Sequence, residues 1–406
     1  MAEMLKGRRI VLGVTGGIAA YKAAELVREL VRRGSQVRVI MTEHACRFVA
    51  PLTFETLSGN PAATDLFRSP GPFEIGHISL AEFAETLVIA PATANLIGKM
   101  AAGIADDLLT TVILAVQAPI LICPAMNEKM YANVAVRENL AKLVSRGHSV
   151  LEPGYGELAC RTEGQGRLAE PADIADEVES ILTVKDLREE RILVTAGPTR
   201  EALDPVRFIS NHSSGKMGYA LALMAKRRGA TVTLISGPTA LAAPRGVELV
   251  PVATAIEMRD AVLERLEKAT VVIKAAAVAD YRPAVCEPSK IKKKEGTMTL
   301  RLERNPDILS EVARRKEGRI LVGFSMESDH LIENAREKLL KKGMDFIVAN
   351  DVTEPGAGFQ SDTNVVHILD RNGVESFPRM DKRDVAGVIL DRVKRIREEK
   401  RDPDGH

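Results

Sequence analysis

Cysteine is scarce in this chain: four residues in 406, Cys46, Cys123, Cys160 and Cys286, form no C-x-x-C pair and have no histidine pair near them. That spacing argues against a zinc site, and free thiols in a cytoplasmic protein are the simplest reading. An excess of charge is missing too. The 56 Lys and Arg nearly balance the 55 Asp and Glu, and a formal net charge of +1 creates no global field for nucleic acid. DNA binding would need a local patch, and the one candidate, "KIKKK" at 290 to 294, has no helix-turn-helix or zinc module beside it. The amino-terminal "MAEMLKGRR" runs straight into a six-residue strand-like segment, too short for the apolar core of a signal peptide, so secretion is not expected. One uncharged stretch, 108 to 126, has about the length of a membrane span. Pro119 and Pro124, with Thr110, Thr111 and Gln117, read instead as the end of a buried helix followed by a buried strand. Two nucleotide fingerprints are absent as well. The first turn is "GVTGGIAAYK" rather than G-x-G-x-x-G, and the second strand ends in Thr42 rather than an acidic residue. "SNHSSGKMG" has Ser210 and Met217 where a P-loop needs Gly and Ser or Thr, and its Ser213-x-x-Lys216 spacing lacks the companion motifs of a β-lactamase.

What is present is a soluble globular composition, 45% hydrophobic and 27% charged, in a length sufficient for two or three domains. "RIVLGV", "QVRVIM", "TLVIA" and "PILIC" read as buried parallel strands. The i, i+4 pairs Leu26/Leu30 and Val27/Val31 mark an amphipathic helix between the first two. Residues 183 to 190 turn polar, and a second series follows: "RILVTA", "TVTLIS", "TVVIKAAA", "RILVGFS" and "DFIVAN", separated by helical segments near 216 to 229, 254 to 268, 306 to 315 and 329 to 342. Each series has enough strands and crossovers for its own sheet. The expected fold is α/β, two doubly wound Rossmann-like domains in series over 1 to 185 and 190 to 398, with a frayed tail at 399 to 406. Gly16, Gly17 and the Thr42 hydroxyl suit a phosphate monoester held on backbone amides at a helix start, which favours a mononucleotide such as FMN over NAD.

Several segments together resemble the bifunctional phosphopantothenoylcysteine decarboxylase/phosphopantothenate cysteine ligase family of coenzyme A synthesis. In the first half they are "TGGIAAYK", "GHISLA", "APATANLIGKMAAGIADDLL", "PAMN" and "LACRTEGQGR"; in the second, "AGPTREALDPVRFISNHSSGKMG", "AAAVADYRP", "KIKKK", "NPDIL" and "GFSMES". They span nearly the whole chain in the family's order. The resemblance implies an N-terminal flavodoxin-like FMN domain and a C-terminal Rossmann-like ligase domain.

For the first half, the resemblance implies FMN-dependent decarboxylation of 4'-phosphopantothenoylcysteine to 4'-phosphopantetheine. Oxidising the thiol-bearing carbon creates a C=S sink for the electrons that CO₂ leaves behind. His77 would assist thiol oxidation as a base, Asn127 would orient the carboxylate, and Cys160, in a glycine-rich loop suited to a flap, would return a proton. Gly16, Gly17, Thr42, Thr93 and Asn95 would hold FMN. The family commonly has Gly-Asp after the flap cysteine; this chain has Arg161-Thr162.

For the second half, it implies condensation of 4'-phosphopantothenate with cysteine, activated by CTP as an acyl-cytidylate with Mg²⁺ or Mn²⁺. Lys290 would sit at the reacting phosphate, Lys338 and Lys342 at other phosphates, and Asn211 at the acyl-cytidylate. Asp280, Asn305, Pro306, Asp307, Ile308 and Phe324 fall on the nucleotide motifs, and no metal ligands are assigned. The expected partners are small molecules, without nucleic acid or membrane, in a homo-oligomer of trimers up to a dodecamer with ligase domains pairing as dimers. Two other readings are a two-domain NAD(P) oxidoreductase and a non-enzymatic nucleotide-binding regulator.

Overall fold

A computed structural model of the chain describes residues 5–67, 76–157, 163–292, 297–327, 330–351 and 361–401, in two units, Met1–Thr183 and Val184–His406. The first unit holds strands β1 (Arg9–Val14), β2 (Gln36–Met41), β3 (Thr86–Ala92), β4 (Ile120–Pro124) and β5 (Ser149–Val150), and a separate hairpin, β6 (Gly154–Glu157) and β7 (Glu163–Arg167). Its helices are α1 (Ala20–Arg32), α2 (Glu43–Cys46), α3 (Pro51–Ser58), α4 (Gly76–Phe83), α5 (Ala94–Ala102), α6 (Leu108–Ala115), α7 (Glu128–Tyr131), α8 (Val134–Ser145) and α9 (Pro171–Leu182). The sheet is parallel, in the order β2-β1-β3-β4-β5. Strand direction of travel reverses between β1 and β3, which opens a crevice beyond their carboxyl ends.

The apolar run of β1 is buried on both faces because alternate residues enter different cores. Ile10, Leu12 and Val14 pack with Leu26, Val27 and Leu30 of α1 and Ile174 and Val178 of α9, whereas Val11 joins Leu96, Leu109 and Val112 of α5 and α6. Each such fully buried aliphatic side chain contributes about 1.5–3 kcal/mol. Val31 departs from the expected stripe and is exposed. The uncharged stretch at 108 to 126 is α6 followed by β4; Pro119 stands between them, and Asp107 closes the start of α6 with a capping box. Among the described residues no helix is long and apolar enough to cross a membrane.

The second unit contains β8 (Arg191–Ala196), β9 (Arg200–Ala202), β10 (Phe208–Ser210), β11 (Thr231–Ser236), β12 (Glu248–Pro251), β13 (Val271–Lys274), β14 (Tyr281–Pro283), β15 (Leu302–Arg304), β16 (Ile320–Glu327), β17 (Phe346–Asp351), β18 (Thr363–Leu369) and β19 (Val374–Asp381). Helices α10 (Lys216–Arg227), α11 (Ala255–Arg265), α12 (Ile308–Arg314), α13 (Leu331–Lys341) and α14 (Lys382–Arg401) accompany them. The eight-stranded sheet runs β12-β11-β8-β13-β16-β17-β18-β19, parallel as far as β17 and antiparallel beyond it. Its reversal of travel lies between β8 and β13.

Three expectations are corrected. The second sheet has eight strands rather than five, because β12 adds a parallel strand beside β11 at one edge and the alternating "TNVVHIL" and its partner add an antiparallel pair at the other. β13 stops at Lys274, short of the alanines that follow: Ala276 N–H donates to Thr195 Oγ1 (3.2 Å) and Ala277 N–H to the Gly197 carbonyl (2.9 Å), so the chain leaves the ladder to meet the turn after β8. The tail is not frayed at 399 to 401. There α14 continues to Arg401, held by pairs from Arg397 to Glu190 (2.9 Å) and Lys400 to Asp345 (3.2 Å), and residues 402 to 406 lie outside the described residues.

Candidate active sites

In the first unit, the turn after β1 is joined to the turn after β3 by one hydroxyl. Buried Thr15 donates through Oγ1 to the Pro91 carbonyl (2.6 Å) and accepts from Thr93 N–H (3.1 Å). Gly16 is forced by the adjacent β2 turn, since a Cβ there would lie 2.3 Å from His44 Cβ. Thr42, at the end of β2, caps α2 by accepting from Ala45 N–H (3.2 Å), and Thr93 caps α5 by accepting from Leu96 N–H (3.5 Å). Gly16, Gly17, Thr42, Thr93 and exposed Asn95 therefore border one crevice at the carboxyl ends of β1, β2 and β3. No side chain caps α1, which begins three residues after Gly17. The crevice thus presents a helix start and two threonine hydroxyls, a donor set suited to a phosphate group.

The next two elements complete the rim. Ala125 N–H donates to the Ala92 carbonyl (3.1 Å), which brings the loop after β4 beside that after β3. In this loop Asn127 caps α7, its side-chain oxygen accepting from Lys129 N–H (2.9 Å), so the amide is held in one orientation. The β6–β7 hairpin lies on the same loop: Met126 N–H donates to the Gly166 carbonyl (3.0 Å). Only glycine permits that approach, because a Cβ on Gly166 would stand 2.1 Å from the Met126 carbonyl oxygen and one on Gly164 2.3 Å from Glu128 Oε2. Cys160, Arg161 and Thr162 belong to the connection between β6 and β7 and lie outside the described residues. His77 is the second residue of α4 and half-buried. A crossover helix runs antiparallel to the strand it precedes, which sets the first turn of α4 at the carboxyl ends of the strands.

In the second unit the corresponding crevice lies beyond β8 and β13. The Gly197 backbone is left-handed (φ +72°), and Gly218 lets α10 approach Ala196, where a Cβ would meet the Ala196 Cβ at 2.5 Å. Asn211 Nδ2 donates to the Val278 carbonyl (3.1 Å). Asn305 donates its main-chain N–H to the Asp280 carbonyl (2.8 Å) and its side chain to that of Ala279 (2.8 Å). Asp307 caps α12 and pairs with Lys342, whose ammonium also reaches Ser310 Oγ (2.8 Å). Burial opposes ionisation of Asp307, but the hydrogen bonds from Lys342 and Ser310 prevail and hold its carboxyl below the usual range. Lys338 donates to the Phe324 carbonyl (3.0 Å).

Asn211, Asp280, Asn305, Asp307, Phe324, Lys338 and Lys342 are thus joined around one crevice, and Pro306 lies within it in the chain between Asn305 and Asp307. Ile308 differs from its expected role: its side chain is 2% exposed in the core beneath α12, leaving only its backbone to face a ligand. Lys290 is exposed in the segment after β14, and no hydrogen bond ties it to the Lys338–Lys342 group among the described residues. Lys293 and Lys294 of the basic run lie outside those residues.

One residue escaped the sequence reading. Lys274 ends β13 on the side of the sheet that Val272 shares with α12 and α13. Burial pushes its ammonium down to about 8; Lys338 and Lys342 add to the fall, and Asp307 and Asp280 oppose it. A lysine closing an otherwise apolar buried strand was the available signal. Among the described residues no group of three or more His, Cys, Asp or Glu is arranged to hold a metal ion.

The sequence family described as Flavoprotein matches residues 1–183, and that described as DNA/pantothenate metabolism flavoprotein C-terminal domain matches residues 187–396. The chain is 49% identical over 395 residues to the Coenzyme A biosynthesis bifunctional protein CoaBC of Bacillus subtilis (strain 168), covering 96% of this chain and 97% of that protein. It is 46% identical over 394 residues to the protein so named in Escherichia coli (strain K12), with 96% and 97% covered. A crystal structure of the C-terminal domain of a Coenzyme A biosynthesis bifunctional protein CoaBC is 41% identical, with a TM-score of 0.46 over 53% of this chain and 99% of that one.

Proposed function

The chain belongs to the family of CoaBC bifunctional proteins of coenzyme A biosynthesis, and from that premise we propose that residues 1 to 185 are an FMN-dependent phosphopantothenoylcysteine decarboxylase and residues 190 to 398 a CTP-dependent phosphopantothenate cysteine ligase. The observation that carries this reading is that each unit has its own doubly wound sheet and its own set of polar side chains at the point where strand order reverses.

In the ligase unit, the carboxylate of 4'-phosphopantothenate attacks the α-phosphate of CTP and releases pyrophosphate; the amine of cysteine then attacks the acyl carbon and releases CMP. Lys290 neutralises charge at the reacting phosphate, Lys338 and Lys342 bind the other phosphates, and Asn211 holds the acyl-cytidylate. Asp280, Asn305, Asp307 and Phe324 border the nucleotide, with Pro306 and the Ile308 backbone between them. Magnesium, when bound with CTP, would supply further positive charge at the phosphates beside these lysines.

The decarboxylase unit holds FMN through Gly16, Gly17, Thr42, Thr93 and Asn95: the cap hydroxyls, their lone pairs engaged by helix amides, have protons to offer a phosphate. When bound, FMN supplies the oxidising power that converts the thiol-bearing carbon to C=S. His77 takes the thiol proton, Asn127 orients the departing carboxylate through its fixed amide, and Cys160 returns a proton to carbon as the two electrons removed in forming C=S are given back by the reduced flavin. Cys160→Ala is expected to release CO₂ yet accumulate a product lacking two hydrogens relative to 4'-phosphopantetheine, detected by mass. Ordinary product at the normal rate would remove Cys160 from the chemistry.

Lys274 adds a pH dependence to nucleotide binding. Its ammonium, flanked by Lys338, Lys342, Asp307 and Asp280, is charged below about 8 and neutral above it. A charged hydrogen bond contributes about 1.5–3 kcal/mol, so the KM for CTP is expected to rise about tenfold between pH of about 7 and about 9. Lys274→Arg, whose guanidinium stays charged, should flatten that profile. A profile parallel to the wild type would separate Lys274 from the nucleotide.

The same reading assigns the protein to the cytoplasm, as a homo-oligomer of trimers in its decarboxylase half and dimers in its ligase half. Its central test is incubation of the intact protein with 4'-phosphopantothenate, cysteine, CTP and Mg²⁺. Appearance of 4'-phosphopantetheine, CMP and pyrophosphate supports both halves; dependence on NAD(P) instead would favour the oxidoreductase reading.

A further inference from the structure

The segment that carries Lys290 has little structure of its own. Between β14 and β15, residues 284 to 292 contain no helix or strand, and Lys290 is exposed. One residue along, however, Ile291 is gripped on both main-chain groups. Its N–H donates to Asp204 Oδ2 (3.1 Å), and its carbonyl accepts from Arg207 Nη2 (2.8 Å). The gripping pair is itself rigid. The Asp204 side chain is wholly buried and takes five donors: Val206 N–H (2.8 Å), Arg207 N–H (2.8 Å), Arg207 Nε (2.9 Å) and Nη2 (2.5 Å), and Ile291 N–H (3.1 Å). Leu203 N–H closes the turn on the Arg207 carbonyl (2.8 Å), and Leu203 returns its own carbonyl to Glu287 N–H (2.9 Å), a second tie to the same segment.

We propose that Asp204 is a positioning residue for the ligase reaction: with Arg207 it clamps the backbone at Ile291 and so aims Lys290 at the phosphate. This rests on the role given to Lys290 above. The turn that holds Ile291 leads directly through β10 to Asn211, so a single hairpin sets the positions of a reacting-phosphate lysine and the acyl-cytidylate asparagine. Chemically, an anionic carboxylate suits the task. Arg207 and the turn amides keep Asp204 ionised far below neutral pH, so the clamp holds across the working range. Neither residue needs to touch the nucleotide.

Asp204→Asn removes the charge with little change in size. In the intact protein, CTP-dependent pyrophosphate release with 4'-phosphopantothenate is expected to fall about 100-fold in kcat, the cost of about 1 Å of misplacement, with a much smaller change in the KM for CTP. Decarboxylation of supplied phosphopantothenoylcysteine should stay at the wild-type rate, and an unchanged unfolding temperature checks the unit that holds Asp204. Because Asp204 acts through Lys290, adding Asp204→Asn to Lys290→Gln should cost nothing further. Multiplying defects, or an unaltered kcat in the single variant, would overturn the proposal. Trypsin cleavage after Lys290 and Lys292, followed by mass, tests the clamp without activity: it should accelerate at least tenfold in Asp204→Asn at an unchanged unfolding temperature, and an unchanged rate would show that Asp204 does not hold the segment. Arg207→Lys, which keeps the charge but not the fork, should lie between the two. If Lys290→Gln itself releases pyrophosphate normally, the role of Lys290 fails, while the cleavage result still decides whether the clamp exists.

Discussion

Lys290→Gln is expected to lower CTP-dependent pyrophosphate release by about 10²–10³-fold, the usual cost of removing one donor at a site of developing charge. Glutamine keeps length and hydrogen-bonding capacity but carries no charge, so the loss isolates electrostatics at the phosphate. Lys290 is well suited to such a role because its ammonium is committed to no other group among the described residues, unlike Lys338 on the Phe324 carbonyl and Lys342 on Asp307. Decarboxylation of supplied phosphopantothenoylcysteine should be unchanged, since Lys290 and the decarboxylase residues belong to different units. Loss of both activities would point to misfolding of the whole chain, and retention of both would remove Lys290 from the reaction.

Gly166→Ala should cost the other activity about 100-fold. The added Cβ would stand 2.1 Å from the Met126 carbonyl oxygen, a main-chain atom that cannot rotate away as the end of a side chain could. The hairpin must therefore lift off the loop after β4 and break the Met126 N–H bond to the Gly166 carbonyl. Asn127 is the next residue in that loop, so the movement would shift the amide proposed above to orient the carboxylate. About 1 Å of displacement is enough for a loss of this size. The expected variant keeps its flavin, measured by absorbance, because Gly16, Thr42 and Thr93, proposed above to hold it, are untouched. Gly98→Ala is the matched control: its Cβ would meet only Asn139 Nδ2, at 3.8 Å, and turnover should be normal. Full activity in Gly166→Ala would mean that the hairpin's seat on this loop is not needed.

The buried strands were legible because their physics is local. An apolar run such as "RILVTA" can be satisfied only between two covered faces, and β8 spans those six residues. The edge strands β18 and β19 were not, since their pairing depends on which partner β17 leaves open. The carboxyl end of α14 was misread for a related reason. Its charges look like a solvated tail until Glu190 and Asp345, distant in sequence, are found opposite Arg397 and Lys400.

By itself, the chain's order of residues determined the two-domain α/β class, the glycine turns that close β1 and β8 and the segments shared with the CoaBC family, because periodicity, glycine placement and motifs are written in short stretches. Tertiary structure alone decided which of those residues meet. It put Lys274 beside Lys338 and Asp307, laid Gly166 of the hairpin on Met126, and buried Asp204 against Ile291, 87 positions away. Burial and close approach between distant segments depend on how sheets and crossovers pack, and no local pattern carries that information.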